Sequence, residues 1–183
     1  MPGEYGDEYG QWCFDCLNAE GYVAETAFSD ESGIAKDGYA AVYGYAGTDK
    51  ESRLELSTLG INEPLREIVV GYFFKINGGS GMKLSLAAKL DNTEKQLLSY
   101  EVSDEDVKLF CEGELLCGLK LNEWNRYILR FNLEKGEVGI YIDSKLIKTV
   151  KLEDITALSG LCFIFKSENF EDFYAIDDVG IAY

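Results

Sequence analysis

The sequence predicts an all-β protein, a sandwich of two antiparallel sheets with negligible helix. From Tyr39 onward, apolar residues recur at every second position, which is the period of a strand and not of a helix. Roughly a dozen such short segments follow one another at spacings near ten residues, which is typical of an antiparallel sandwich or barrel. Because one open sheet with that many strands would curl or split, two packed sheets are expected.

The clearest pattern lies in residues 123–152. Apolar residues alternate with other residues along 127–133 and again along 138–142. Between these stretches, Lys135-Gly136 supplies a turn with a glycine that tolerates positive φ, and Asp143-Ser144 turns the chain again. Residues 123–152 are therefore predicted to form three consecutive antiparallel strands joined by tight turns.

The other segments follow in chain order. Residues 1–20 are acidic, rich in Gly and Tyr and irregular in pattern, so we interpret them as an N-terminal strap or linker and residues 21–183 as the β-sandwich domain. Further strands are predicted in residues 21–28, 39–45, 53–59, 67–76, 82–90, 96–102, 107–121 (a hairpin), 160–166 and 173–183. Residues 67–76 are apolar on both faces, which predicts a central strand that is covered on both sides.

A net charge of −16 narrows the range of expected partners. Nucleic acid and anionic membrane surfaces are bound through Lys and Arg, so neither is expected, and a neutral ligand or a cation fits better. The sequence has no apolar run of the roughly 18 residues that a spanning helix needs, so no membrane insertion is expected. The first residues lack the basic and apolar regions of a signal peptide, so any leader is expected to have been removed or never present.

Histidine is absent from the sequence. This excludes Ser–His and Cys–His catalytic arrangements and His-ligated zinc or iron sites. Cys13 and Cys16 have the spacing of a redox or metal pair, but no second pair follows and the βαβ context of a thioredoxin is missing. Cys111 and Cys117 flank a predicted turn and could face each other across a hairpin, whereas Cys162 is interpreted as a small buried hydrophobe.

Three tyrosines, Tyr39, Tyr43 and Tyr45, share one face of a predicted strand. One interpretation is that their rings cover the core and leave the hydroxyls at its rim. The other is that they form a platform for sugar rings, because aromatic faces bind the C–H surfaces of pyranoses while nearby polar groups take the hydroxyls. Trp12, in the irregular N-terminal segment, could fold over the rim of such a platform.

Motifs in the second half of the chain carry a resemblance to a known group of folds. Trp124 opens a strand, two alternating stretches follow around Lys135-Gly136, and the closing strand contains the run Ile176-Asp177-Asp178-Val179. Together these resemble the laminin-G-like and concanavalin-A-like jelly rolls of bacterial extracellular proteins, among them many carbohydrate-binding modules. The resemblance covers residues 124–183 and implies a jelly-roll sandwich in which Trp124 packs between the sheets.

The resemblance also implies a structural calcium ion between the last strand and the N-terminal strands. Asp177 and Asp178 are the first candidate ligands, and Asp30, Glu31 and Asp37, in predicted turns near the first strands, are candidate co-ligands. Calcium is bound by carboxylate and carbonyl oxygens, and a partly buried carboxylate needs either a cation or hydrogen-bond donors. The alternative is that the Asp177–Asp178 pair accepts hydrogen bonds from backbone amides of a neighbouring turn.

The expected function is that of a non-catalytic carbohydrate-binding module, extracellular and part of a larger secreted or cell-surface protein. Its aromatic platform of Trp12, Tyr39, Tyr43 and Tyr45 would bind a neutral plant-type polysaccharide, since the negative charge repels uronic acids unless calcium bridges them. The alternative is a structural or adhesive domain that binds protein or acts as a spacer. A glycan-cleaving enzyme is not expected, because the Glu-x-Asp-x-x-Glu spacing of the retaining glucanases with this fold is missing.

Overall fold

The computed structural model describes residues 13–17, 22–27, 40–45, 51–57, 66–90, 93–153, 157–169 and 171–182. These residues form fourteen strands and no helix. In chain order the strands are β1 (Cys13–Leu17), β2 (Tyr22–Ala27), β3 (Ala40–Tyr45), β4 (Ser52–Ser57), β5 (Glu67–Asn77), β6 (Lys83–Leu90), β7 (Thr93–Val102), β8 (Asp106–Cys111), β9 (Glu114–Lys120), β10 (Asn125–Asn132), β11 (Glu137–Ile142), β12 (Lys145–Lys151), β13 (Leu158–Lys166) and β14 (Phe173–Ala182).

The strands pair into two antiparallel sheets of seven strands each, which confirms the predicted β-sandwich. The first sheet has the order β1-β4-β13-β6-β7-β8-β9, and the second has the order β12-β11-β10-β5-β14-β3-β2. The last two strands of the chain are inserted between earlier strands, β13 between β4 and β6 and β14 between β5 and β3. No helix of the described chain has the length and apolar character needed to cross a membrane.

The N-terminal segment contributes to the first sheet. Within residues 1–20, which are predicted to be a strap or linker, Cys13–Leu17 forms β1 and pairs with β4 at one edge of that sheet. The rest of this segment lies outside the described residues, so the boundary at residue 20 stays a prediction.

The three strands predicted in residues 123–152 are β10, β11 and β12, paired as consecutive antiparallel neighbours. Gly136 lies in the first turn with a φ of 57°, and a Cβ there would lie 2.5 Å from the carbonyl oxygen of Leu152. The turn therefore requires glycine. Asp143 and Ser144 make the second turn, both with positive φ.

The core lies between the sheets and is rich in aromatic residues. The even-numbered residues of β5 from Ile68 to Ile76 are buried, and the odd-numbered residues between them are only half-buried. Phe74 stacks on Phe163 of the opposite sheet with ring centroids 5.5 Å apart, and Tyr72 meets Phe163 edge to face at 5.6 Å. Ring pairs of this kind add about 0.5–1.5 kcal/mol to what apolar burial alone contributes, and here they join the two sheets.

Two predictions about burial are wrong. The strand β5 is central, but only its inner face is fully buried, since the odd-numbered residues, Lys75 among them, keep part of their surface in contact with solvent. Trp124 does not pack between the sheets either. It is half-buried next to β10, and the ammonium group of Lys75 lies over its ring, so it belongs to the outer face of the second sheet.

The cysteines of the β8–β9 hairpin do not face each other. Cys111 lies opposite Glu114 and Cys117 lies opposite Leu109, because the tight turn at Glu112-Gly113 sets a register in which the two cysteines are not partners, and both thiols are free. Cys162 in β13 is fully buried, which confirms its interpretation as a small core residue.

Candidate functional site

The strongest candidate site lies on the outer face of the second sheet, across its central strands β10, β5 and β14. Alternation along β5 places Phe73 and Lys75 on this face. Trp124 borders them from the start of β10, and Phe173 borders them from the start of β14. All four side chains are half-buried. We call these four residues the Lys75 platform.

Lys75 is held between two aromatic rings. Its Nζ lies 4.8 Å from the centroid of the Trp124 ring and 5.9 Å from the centroid of the Phe173 ring. Both distances are within the range of a cation–π interaction. None of the described acidic side chains forms an ion pair with Lys75. Partial burial lowers the pKa of Lys75 below its ordinary value, because the charged form has lost part of its hydration.

Two charged residues lie beside the platform. In the strand register, Phe73 has Arg126 opposite it on β10 and Asp177 opposite it on β14. The Arg126 side chain is exposed, and no carboxylate among the described residues forms an ion pair with it. Asp177 is only 8% exposed. The face therefore combines aromatic rings with two cations and one buried carboxylate, a combination suited to a ligand with both C–H surfaces and polar groups.

The outer face of the first sheet offers a second group of charged residues. Arg53 forms ion pairs with Glu94 and Glu51, and Lys89 pairs with Glu55, which is largely buried. Each of these carboxylates has a cation as its partner, so the charges of this group are satisfied by ion pairs within the protein.

The thiol of Cys162 lies in the same region as these ion pairs. Burial raises its pKa to about 11, which keeps the thiol protonated and unreactive near neutral pH.

Only two of the four residues predicted to form the aromatic platform lie among the described residues. Tyr43 and Tyr45 lie in β3, which neighbours β14 in the second sheet. Tyr43 is opposite Tyr174, whose own side chain is buried in the core, and Tyr45 is opposite Tyr22. Trp12 and Tyr39 lie outside the described residues. Sugar stacking on these four residues stays a prediction.

Of the predicted calcium ligands, only those in the last strand lie among the described residues. Asp177 and Asp178 lie at an irregularity of β14, where Asp178 has a φ of 48° and donates its backbone N–H to Oδ1 of Asp177 at 2.9 Å. Asp30, Glu31 and Asp37 lie outside the described residues. No group of three acidic or thiol side chains able to hold a metal occurs within the described ranges. The two aspartates supply oxygens of the kind calcium accepts, and its binding stays a prediction.

Sequence reasoning assigned none of the four residues of the Lys75 platform to a binding site. A lysine in an apolar strand was the available signal, since a charged residue at an otherwise apolar position needs a functional or structural reason. The contacts of Lys75 could not be predicted, because Trp124 and Phe173 are far away in the chain and meet it only through strand pairing.

No protein-family profile and no curated protein matches the chain. Among solved structures, a carbohydrate esterase from the Shiga toxin-encoding bacteriophage phi24B has a TM-score of 0.61 at 14% identity, over 95% of this chain and 90% of that one. An alginate lyase from Corynebacterium sp. has a TM-score of 0.59 at 10% identity, over 100% of this chain and 99% of that one.

A third solved structure, the cellulose-induced protein Cip1, has a TM-score of 0.58 at 13% identity, over 94% of this chain and 91% of that one. At such low identities these likenesses bear on the fold alone. They confirm the concanavalin-A-like jelly roll that the sequence motifs resemble.

Proposed function

We propose that this chain is a non-catalytic carbohydrate-binding module, part of a larger secreted or cell-surface protein, and that it binds polysaccharide on the Lys75 platform. The observation that carries the proposal is the outer-face position of Trp124, Phe173 and Phe73, half-buried around a lysine on the central strands. Aromatic rings held in place at a surface bind sugar rings at little cost in conformational entropy.

The likenesses in fold support a ligand of this class. The phage protein is named a carbohydrate esterase and the Corynebacterium protein an alginate lyase, so related folds act on carbohydrates. Fold does not decide function, and the residues of the site carry the argument. The net charge of −16 favours a polysaccharide with an uncharged main chain, such as a plant β-glucan or hemicellulose.

A binding role without catalysis is supported by the side chains at hand. The chain has no histidine, and the carboxylates Glu51, Glu55 and Glu94 on the outer face of the first sheet are engaged in ion pairs. Glycoside hydrolysis needs two carboxylates on either side of one bond, one of them able to give up a proton. On the Lys75 platform, Asp177 is the one carboxylate among the described residues that neighbours the aromatic rings in the strand register.

Affinity gel electrophoresis with a panel of β-glucans and hemicelluloses tests the proposal. We expect the parent protein to be retarded, and Trp124→Ala and Phe173→Ala to lose most of that retardation. Phe110→Ala is the matched control, because Phe110 is a half-buried aromatic residue on the outer side of the first sheet. Trp12→Ala, Tyr43→Ala and Tyr45→Ala test the platform expected from the sequence in the same gels.

The result separates the two functional alternatives. Retardation that survives Trp124→Ala and Phe173→Ala but is lost in a tyrosine variant moves the site to β3. If the parent is retarded by no polysaccharide in the panel, the proposal fails and the structural or adhesive alternative takes its place. Circular dichroism of each variant establishes that the fold is intact.

A further inference from the structure

Lys75 has a feature that sugar stacking alone does not use. It is a partly desolvated cation on a protein with a net charge of −16, and none of the described carboxylates pairs with it. Five other lysines of the described chain have such partners, for example Lys89 with Glu55 and Lys151 with Glu137, and Lys75 differs from the remaining lysines in lying against two aromatic rings. A cation that has lost hydration gains most when an anionic group arrives to replace it.

We infer that the Lys75 platform recognises a carboxylate on the glycan, and that its ligand is a polysaccharide with a neutral main chain and isolated uronic acid side groups. The inference rests on the proposed function and narrows its ligand. Trp124 and Phe173 border the Lys75 ammonium, so a sugar ring against either aromatic ring can bring an equatorial carboxylate to Nζ.

Arg126 provides a second donor close to the same place. It is the register neighbour of Phe73, two positions along β5 from Lys75, and its side chain is exposed. A guanidinium can bind a carboxylate through two parallel N–H groups. Asp177, on the other side of Phe73, disfavours an anion there, so the carboxylate is expected between Lys75 and Arg126.

The overall charge limits how acidic the polymer can be. Repulsion between the protein and distant charges is screened beyond about 8 Å in physiological salt, whereas a carboxylate in contact with Lys75 is screened much less. A single acidic side group therefore gains from Lys75 at little electrostatic cost. A polymer with a carboxylate on every sugar places many charges near the acidic surface and is disfavoured.

The test compares one polymer in two forms. A xylan with occasional glucuronic acid side groups is used as such and after its carboxyl groups have been reduced to alcohols. We expect the parent to bind the acidic form about tenfold more tightly, as is ordinary for one charged hydrogen bond. Lys75→Met should bind the two forms with equal affinity, whichever level that affinity has, whereas Lys75→Arg should keep the preference for the acidic form. Lys83→Met, which changes an exposed lysine of the first sheet, is the matched control.

Each outcome decides a different point. Equal binding of the two forms by the parent, or a preference that survives Lys75→Met, overturns the inference and leaves the proposed function standing. Tighter binding of polygalacturonate than of the acidic xylan overturns the limit on charge density. If the parent binds neither form of the xylan and no neutral glucan, the proposed function itself fails.

Discussion

At the scale of single residues, Trp124 lies on the outer face of the second sheet and not in the core. The alternation of the following strand β10 already predicts this position, since Tyr127 and Leu129 are buried and even-numbered residues such as Arg126 and Ile128 face outward. The family resemblance implied the opposite position. At this residue the local period of the strand was the better guide, because period two follows from backbone geometry, whereas family positions tolerate insertions and changes of register.

Truncation of Trp124 therefore has a modest effect on stability. We expect Trp124→Ala to lower the free energy of unfolding by about 1–2 kcal/mol, from partial burial and the lost interaction with Lys75. Phe163→Ala, at the aromatic contact between the sheets, should lower it by about 3–5 kcal/mol. Urea denaturation measures both. Equal losses for the two variants would show that Trp124 is a core residue after all.

For Tyr72 we predict a gain in stability on substitution, in contrast to the losses expected for Trp124 and Phe163. Its hydroxyl is buried and forms no hydrogen bond with the described residues. An unsatisfied buried polar group costs about 1–3 kcal/mol, so Tyr72→Phe should raise the free energy of unfolding by about 1 kcal/mol. A loss of stability in the same denaturation experiment would mean that the hydroxyl has a partner in solution.

At the scale of elements, the sequence predicts strands well and their partners poorly. The strands β10, β11 and β12 were predictable because tight turns force sequential neighbours to pair. The insertion of β13 and β14 into the sheet centres was not predictable, because pairing over long distances in the chain has no local signal. The Lys75 platform depends on such pairing, so sequence reasoning could find its residue types but not its location.

Three buried tyrosines, Tyr72 and Tyr127 in the second sheet and Tyr100 in the first, make the stability of the sandwich depend on pH in the alkaline range. Burial raises the pKa of Tyr72, Tyr100 and Tyr127 well above 10. The unfolded chain releases these protons near pH 10, so above that pH the unfolded state holds fewer protons than the folded one. The free energy of unfolding therefore falls as the pH rises beyond about 10.

An alkaline titration should show this effect directly. Tyrosinate absorbance should rise in two stages, first for exposed tyrosines and then in a cooperative step that coincides with loss of the near-ultraviolet circular dichroism. Smooth ionisation of all 12 tyrosines with an unchanged dichroism spectrum would contradict the account of the core.

At the scale of the whole molecule, we predict that calcium binding contributes to the stability of the fold. If Asp177 or Asp178 binds calcium together with Asp30 or Asp37, the ion links the two ends of the chain. Calcium at a hundredfold excess over its dissociation constant would then stabilise the fold by about 2.7 kcal/mol. Starting from calcium-loaded protein, EDTA should lower Tm, and Asp178→Ala should abolish that sensitivity while Glu101→Ala keeps it. Identical melting with and without EDTA would remove calcium from the account.

The central claim is that the outer face of the second sheet binds a glycan, and tryptophan fluorescence tests it most directly. The chain has two tryptophans, so in Trp12→Phe the emission comes from Trp124 alone. This variant is titrated with oligosaccharides prepared from the polysaccharide that retards the parent in gels. The Trp124 emission should then shift or be quenched in a saturable way, because a sugar ring stacked on the indole changes the contact of the indole with water. Binding in the gels with an unchanged Trp124 emission would contradict the claim.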